Sequence, residues 1–151
     1  MKRLLAVILL AGCTAPLDPV APIAFRNPTA QVASQADVTL ERLAGEWRIV
    51  SIFDDAQFGA VRQVRFDGPN MALNQQLLPV TRNAQGRLTA GGQQFWVHWL
   101  DINNRTAVIG SPDGRFGWIM DRNGTPSPDR LKAAREILEW YGYDLSRMKD
   151  V

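Results

Sequence analysis

The stretch LERLAGEWRIVSIFDD, residues 40–55, decides the fold, because it places Gly45 and Trp47 at the start of a run rich in Ile, Val and Phe. Side chains on a β-strand point alternately to its two faces. Regular alternation from Trp47 puts Ile49, Ser51 and Phe53 on the same face as the indole. This pattern predicts that a strand with one aromatic face begins beside Trp47.

The pattern continues downstream as short apolar runs separated by Gly, Asn, Asp and Pro clusters about every 8 to 12 residues, which is typical of an antiparallel sandwich or barrel. Turn residues such as Asp67-Gly68-Pro69-Asn70 favour hairpins between neighbouring strands. The pattern is weakest between residues 67 and 92. The predicted strands are 46–54, 59–67, 70–75, 77–82, 86–90, 93–100, 105–110 and 115–121.

A single helix is predicted over residues 128–141. Ser127 is a suitable N-cap, Pro128 suits the first turn, and Gly142 supplies a left-handed stop. Apolar side chains recur at helical spacing, namely Leu131, Ala134, Leu138 and Tyr141. We expect this face of the helix to lie against the outside of the sheet.

The first residues have the parts of an export signal: Lys2 and Arg3, an apolar run over 4–10, and small residues before Cys13. The sequence Leu10-Ala11-Gly12-Cys13 resembles the lipobox of bacterial lipoproteins, which implies a lipidated Cys13. An ordinary signal peptide is the alternative. We expect a signal peptide over 1–12, a lipidated cysteine with a Pro- and Ala-rich tether over 13–39, and a folded domain over 40–151.

Two further properties bear on location and partners. Thr14 stands where the sorting pattern for inner-membrane retention has Asp, which favours the outer membrane within the cell envelope. Lys plus Arg number 17 and Asp plus Glu 15, but removal of Lys2 and Arg3 leaves equal numbers. The mature chain therefore has no net basic charge, and we expect no nucleic-acid partner.

Two motifs at the ends of the domain resemble a known family. Gly45-Glu46-Trp47 is similar to the Gly-x-Trp signature of the lipocalins, and residues 116–122, FGWIMDR, resemble the last-strand signature of their bacterial outer-membrane lipoprotein branch, which ends in Arg122. Residues 101–114 and 142–147 are similar to the family's penultimate hairpin and to the segment after its helix.

The resemblance implies an all-β fold with one C-terminal helix, namely a small up-and-down antiparallel barrel of the calycin type. In it, Trp47 fills the closed end and Arg122 packs across its ring. The open end takes a small hydrophobic molecule. The candidate lining residues are Ile49, Phe53, Phe66, Trp99, Phe116, Trp118 and Met120. Trp96 and Trp99 have opposite parity, so at most one of them points inward on a regular strand. The alternative is that these aromatic residues only fill a core.

No catalytic or metal-binding pattern is present in the sequence. His98 is the only histidine, and it has no Cys or acidic residues at metal-ligand spacing. The carboxyl groups of Asp54, Asp55, Asp113 and Asp121 are typical of turns and strand ends. We therefore expect no enzyme activity, no metal and no cofactor.

The sequence thus predicts a membrane-anchored, lipocalin-like lipoprotein that binds or shuttles a fatty acid or lysophospholipid. One alternative is a protein-binding periplasmic barrel such as a metalloprotease inhibitor, with residues 14–39 as the inserted segment. Another is a structural lipoprotein of the envelope without a ligand. The segment 67–92 is short for three strands, so the barrel is expected to be small, open at the side or filled.

Overall fold

The computed structural model describes residues 24–53 and 57–151. It contains a short helix α1 (Leu40–Leu43), a longer helix α2 (Pro128–Trp140), a 3-10 turn (Leu145–Arg147) and nine strands. The strands are β1 (Gly45–Phe53), β2 (Gln63–Asp67), β3 (Asn70–Leu73), β4 (Gln76–Arg82), β5 (Arg87–Ala90), β6 (Gln93–Leu100), β7 (Thr106–Gly110), β8 (Gly117–Asp121) and β9 (Met148–Asp150).

Consecutive strands pair antiparallel from β1 to β8, and β8 pairs back to β1, which closes an eight-stranded up-and-down barrel. β9 pairs antiparallel with the C-terminal part of β1, at Ser51–Phe53. All eight predicted strands are present. None of the three middle strands is missing: β3 and β5 are short, with four residues each, and β4 has seven. The predicted strand 59–67 was too long, because residues 59–62 form turns and coil.

The barrel has two different ends, because hairpin turns alternate between them. The closed end carries the turns at 68–69, 83–86 and 101–105, together with α1. The open end carries the turns at 74–75, 91–92 and 111–116, and the described part of the β1–β2 connection, 57–62.

Two β-bulges change which side chains face inward. The register shifts between Ile49 and Ser51 in β1, so that Ile52 lies opposite the inward Trp118 and Phe53 points outward. Regular alternation therefore predicted the wrong face for Ser51 and Phe53. Each bulge inserts one residue and reverses the parity of everything after it.

The second bulge lies in β6, between Val97 and Trp99. Trp99 pairs with Val108 and packs in the outer cluster, and Trp96 contacts Arg87 at 4.1 Å. Neither indole belongs to the interior cluster.

A second apolar cluster lies outside the barrel beneath α2. It contains Phe53, Val108, Ile119, Ala134, Leu138 and Tyr143. The helix ends one residue earlier than predicted, and the Ser127 side chain makes no capping hydrogen bond. Within the two described ranges, no helix combines the length and apolarity needed to cross a bilayer.

The predicted tether differs from the structure over residues 24–39, which pack on the barrel. Gln35 donates its backbone N–H to Val97 O (2.7 Å), and its side-chain oxygen accepts from the Leu100 N–H (2.8 Å). Val38 is fully buried at the closed end. These bonds satisfy backbone groups near the β6 bulge, and buried backbone groups need such partners. Residues 1–23, including Cys13, lie outside the described residues.

Candidate functional site

The closed end is built around Trp47 and Arg122. The Arg122 guanidinium carbon lies 3.7 Å from the centroid of the Trp47 ring, which is the contact the sequence motifs imply. The indole is completely buried, and its Nε1–H donates to Leu43 O at 2.7 Å. A cation above an indole face is attracted by the ring's quadrupole.

Main-chain oxygens satisfy the rest of the Arg122 guanidinium. Nε donates to Asn104 O (3.1 Å), Nη1 to Ala44 O (2.6 Å) and Nη2 to Arg42 O (3.1 Å). Partial burial lowers the pKa of Arg122, but arginine remains charged in proteins. The Arg122 side chain thus connects the end of β8 to α1 and to the turn between β6 and β7.

Gly45 is required by this arrangement for two reasons. Its φ is +98°, a backbone conformation that side chains disfavour. A Cβ at Gly45 would also lie 3.0 Å from Arg122 Nη1. The Gly-x-Trp spacing therefore leaves the space that the guanidinium occupies.

The barrel interior receives five of the seven candidate lining residues: Ile49, Phe66, Phe116, Trp118 and Met120, all at most 5 % exposed. Phe53 and Trp99 do not line it. Phe53 stacks on Phe25 and Tyr143 outside the barrel, with centroids 5.2 and 5.3 Å apart. The two corrections follow from the two bulges, which no composition or periodicity signal located.

At the open end, Phe58 from the β1–β2 connection inserts into the mouth of the barrel. Its ring centroid lies 4.4 Å from that of Phe116, 5.8 Å from Phe95 and 6.0 Å from Trp118. Phe58 is only 5 % exposed although it comes from a loop. The interior aromatic residues are thus covered by a loop side chain and not by a strand.

A cleft of about 280 Å³ lies beside Phe58 at this mouth. It is lined by Gln57, Phe58, Ala60, Val61, Leu73, Asn74, Gln76, Leu78, Ala90, Gly91, Gln93 and Phe95. Its polar lining consists of side-chain amides, and none of these described lining residues is charged. The cleft is slightly smaller than the usual range of about 300–1,000 Å³ for small-molecule pockets.

Sequence reasoning missed Phe58, Val61 and Phe95 as mouth residues. For Phe58, the available signal was a single aromatic residue within the loop segment around residues 57–60. Large apolar side chains are usually buried, so a Phe in a loop indicates a contact with the core. Phe95 follows from the parity of β5 and β6, where it pairs with the buried Leu88.

His98 is a buried residue whose two ring nitrogens both have hydrogen-bond partners. Its Nδ1 lies 2.8 Å from Ala33 O, which requires Nδ1–H to donate, and its Nε2 lies 3.1 Å from the Tyr143 hydroxyl. Burial lowers the pKa of His98 to about 4 and raises the pKa of Tyr143. Among the described residues, no group of three His, Cys, Asp or Glu side chains is placed to hold a metal ion.

Neither Asp113 nor Asp121, the candidate carboxylates among the described residues, lines the mouth cleft. Asp113 pairs with Arg115 at 2.6 Å in an exposed turn. Asp121 is buried, accepts from the Thr106 hydroxyl at 2.7 Å and lies 3.7 Å from Arg130. Asp54 and Asp55 lie outside the described residues.

A closed eight-stranded up-and-down barrel, with a Trp–Arg contact at one end and a C-terminal helix on its wall, defines the lipocalin class of fold. The comparisons agree with this class. Residues 81–151 match the family model described as a lipocalin-like domain. No curated protein matches the sequence.

Several solved structures share the fold at low identity. Insecticyanin from the tobacco hornworm Manduca sexta aligns with a TM-score of 0.58 and 13 % identity over 80 % of this chain and 83 % of its own. The bovine lipocalin allergen Bos d 2 gives 0.54 and 13 % over 75 % and 94 %. Odorant binding protein OBP1 gives 0.52 and 12 % over 76 % and 93 %. The protein therefore has the lipocalin fold, and its residues 81–151 are similar to the lipocalin-like domain of that family model.

Proposed function

We propose that the protein binds one small hydrophobic molecule of the fatty-acid or lysophospholipid class through the open end of its barrel. The observation that carries this proposal is the uncharged cleft beside Phe58, which is lined by apolar side chains and amides and borders the interior aromatic cluster through Phe58 and Phe95. Lipocalins as a class bind and transport small hydrophobic molecules. One structural neighbour is by name an odorant-binding protein.

Ligand entry requires Phe58 to leave the mouth, because its ring occupies the space above Phe116 and Trp118. Burying a Phe side chain is worth about 1.5–3 kcal/mol, so displacing it costs about 2 kcal/mol. Each buried methylene returns about 0.8 kcal/mol. Roughly the first three methylenes of an acyl chain therefore only offset this cost, and affinity rises with chain length beyond them.

The residues that line the cleft favour selection of a ligand by its acyl chain rather than by its polar head group. Gln76 and Gln93 offer amide hydrogen bonds, and the described lining carries no charge that would select or reject a carboxylate. We propose that the protein acts in the cell envelope, held by lipid on Cys13 at the outer membrane. A lipid anchor would keep the mouth within reach of membrane-derived acyl chains.

The test is titration of a dansyl-labelled undecanoic acid into the chain from Thr14 to Val151, which retains every described residue. We expect saturable one-to-one fluorescence enhancement that dodecanoate reverses and hexanoate reverses poorly. Absence of any saturable enhancement would contradict the proposal.

An exposed isoleucine gives a control for a variant of the mouth. Leu78 lines the mouth cleft, whereas Ile102 lies in the closed-end turn and is 87 % exposed. Leu78→Gln should weaken probe binding about tenfold, through lost apolar contact. Ile102→Gln should leave binding unchanged. Equal effects of both substitutions would place the probe on the surface.

The protease-inhibitor alternative requires an N-terminal segment free to enter an enzyme. Residues 24–39 are instead bonded to the wall: Arg82 Nε donates to Val38 O at 2.5 Å and Ser34 Oγ to Gly86 O at 2.9 Å. This packing favours the ligand-binding proposal over that alternative.

A further inference from the structure

A groove of about 440 Å³ runs across the outer wall of the barrel, on the far side of the sheet from the interior. It is lined by Glu46, Trp47, Arg48, Gln63, Val64, Arg65, Ala72, Asn74, Gln75, Leu77 and Arg122. Trp47 and Val64 are buried toward the interior. The groove therefore presents mainly the outward side chains of β1–β4.

The strand register explains why a groove forms here. Arg65 lies opposite Glu46 on one side and opposite Ala72 on the other, and Ala72 lies opposite Leu77. The small Ala72 forms a floor between a long cation and an exposed leucine. Arg48 lies opposite Gln63 and is thus a diagonal neighbour of Arg65. Diagonal neighbours on one face are about 7–8 Å apart, within reach of long side chains.

The charges of these two arginines are unmatched within the described residues. Neither the Arg48 nor the Arg65 guanidinium has a hydrogen bond or ion pair there, although Glu46 lies directly across from Arg65. Asp121 lies opposite Arg48 on β8, but its carboxylate is buried and engaged by Thr106 and Arg130.

The end of the groove adds a third cation. Arg122 lines it, but its N–H groups are engaged by main-chain oxygens, so the unpaired guanidinium groups of the groove are those of Arg48 and Arg65. Side-chain amides of Gln63 and Gln75 add donors. Guanidinium groups bind phosphate oxygens in a two-bond geometry, and two of them can share one phosphate.

We propose that this outer groove is a binding site for a phosphate ester, with Arg48 and Arg65 holding its oxygens. The exposed Leu77 and the Ala72 floor would contact an apolar group attached to that phosphate, as in a phospholipid head group. The site lies on the wall and is independent of ligand binding in the barrel interior.

The test is titration of the ¹⁵N-labelled chain from Thr14 with inorganic phosphate and, separately, with dihexanoylphosphatidic acid below its micelle concentration. We expect saturable shifts of the backbone and arginine Nε signals of residues 46–48 and 63–65. Arg48→Gln and Arg65→Gln should each weaken binding about tenfold or more. Shifts that do not saturate, or that chloride produces equally, would overturn the proposal.

Arg105→Gln is the matched control, because Arg105 is exposed, lies in the closed-end turn and is outside the groove. It should leave both titrations unchanged, and equal weakening by this variant would show general charge attraction only. Tighter binding of the lipid than of phosphate, reduced by Leu77→Ser, assigns the site to a lipid head group. Equal binding of the two assigns it to the free anion.

Discussion

Truncation of Phe58 should separate ligand affinity from stability. Phe58 is 5 % exposed and contacts three aromatic residues of the interior, so Phe58→Ala should lower the free energy of unfolding by about 3–5 kcal/mol. The same change removes the side chain that a ligand has to displace. If displacement costs about 2 kcal/mol, affinity for dodecanoate should rise about 30-fold.

The control is Phe53→Ala. Phe53 is fully buried and also stacks on aromatic rings, but in the cluster outside the barrel. Phe53→Ala should therefore lower the free energy of unfolding by a similar amount and leave the affinity for dodecanoate unchanged. Urea denaturation gives the stability and competition against the dansyl probe gives the affinity. Unchanged or weaker binding in Phe58→Ala would refute the reasoning that Phe58 occupies the ligand's space.

Three other perturbations test separate parts of the structure. Trp47→Ala should lower the free energy of unfolding by about 3–5 kcal/mol and Arg122→Ala by about 2 kcal/mol. A double-mutant cycle of these two variants, measured by urea denaturation, should give a coupling energy of about 1 kcal/mol, because the two side chains are in contact. Additive losses would contradict the stacking contact. Burial lowers the pKa of His98 from its ordinary value of 6.5 to about 4 in the folded protein. As the pH falls, the unfolded chain therefore binds a proton at this histidine before the folded protein does. The free energy of unfolding should fall by up to about 3 kcal/mol between pH 6.5 and pH 4. His98→Gln should flatten that part of a pH-dependent melting profile, and an identical slope in the variant would assign it to other groups. Cys13→Ser should abolish palmitate labelling in cells, whereas retained label would place the anchor elsewhere.

The contact at the closed end was predictable because each of its two partners belongs to a short motif that is recognisable in the sequence. Gly45 and Trp47 are two residues apart, and Arg122 follows a strand whose inward face carries Phe116, Trp118 and Met120. An indole face is a suitable partner for that charge, and the resemblance to the lipocalins implied that the partner is Trp47. The strands and α2 were likewise set by turn residues and by periodicity.

The mouth was not predictable in the same way, because its composition depends on two bulges and one loop. The bulge after Ile49 moves Phe53 outside and brings Ile52 in, and nothing in the sequence near Val50 marks it. Phe58 reaches the interior through tertiary packing. A loop aromatic finds its site only once the strands that surround it exist.

The N-terminal segment shows a third limit. Its prolines and alanines favour an extended chain, but residues 24–39 contain turns at 28–29 and 36–37, and composition does not decide between a free tether and a segment bonded to a wall. The β6 bulge leaves backbone groups that Gln35 satisfies. That requirement exists only in the folded barrel.

The most direct measurement is a set of intermolecular nuclear Overhauser effects between uniformly ¹³C-labelled dodecanoate and the protein. If the barrel takes the acyl chain through the mouth, methylene protons should show effects to the rings of Phe95, Phe116 and Trp118, and the Phe58 ring should lose its contacts with those rings. Effects confined to outer-wall or helix residues, with the Phe58 contacts intact, would contradict binding inside the barrel.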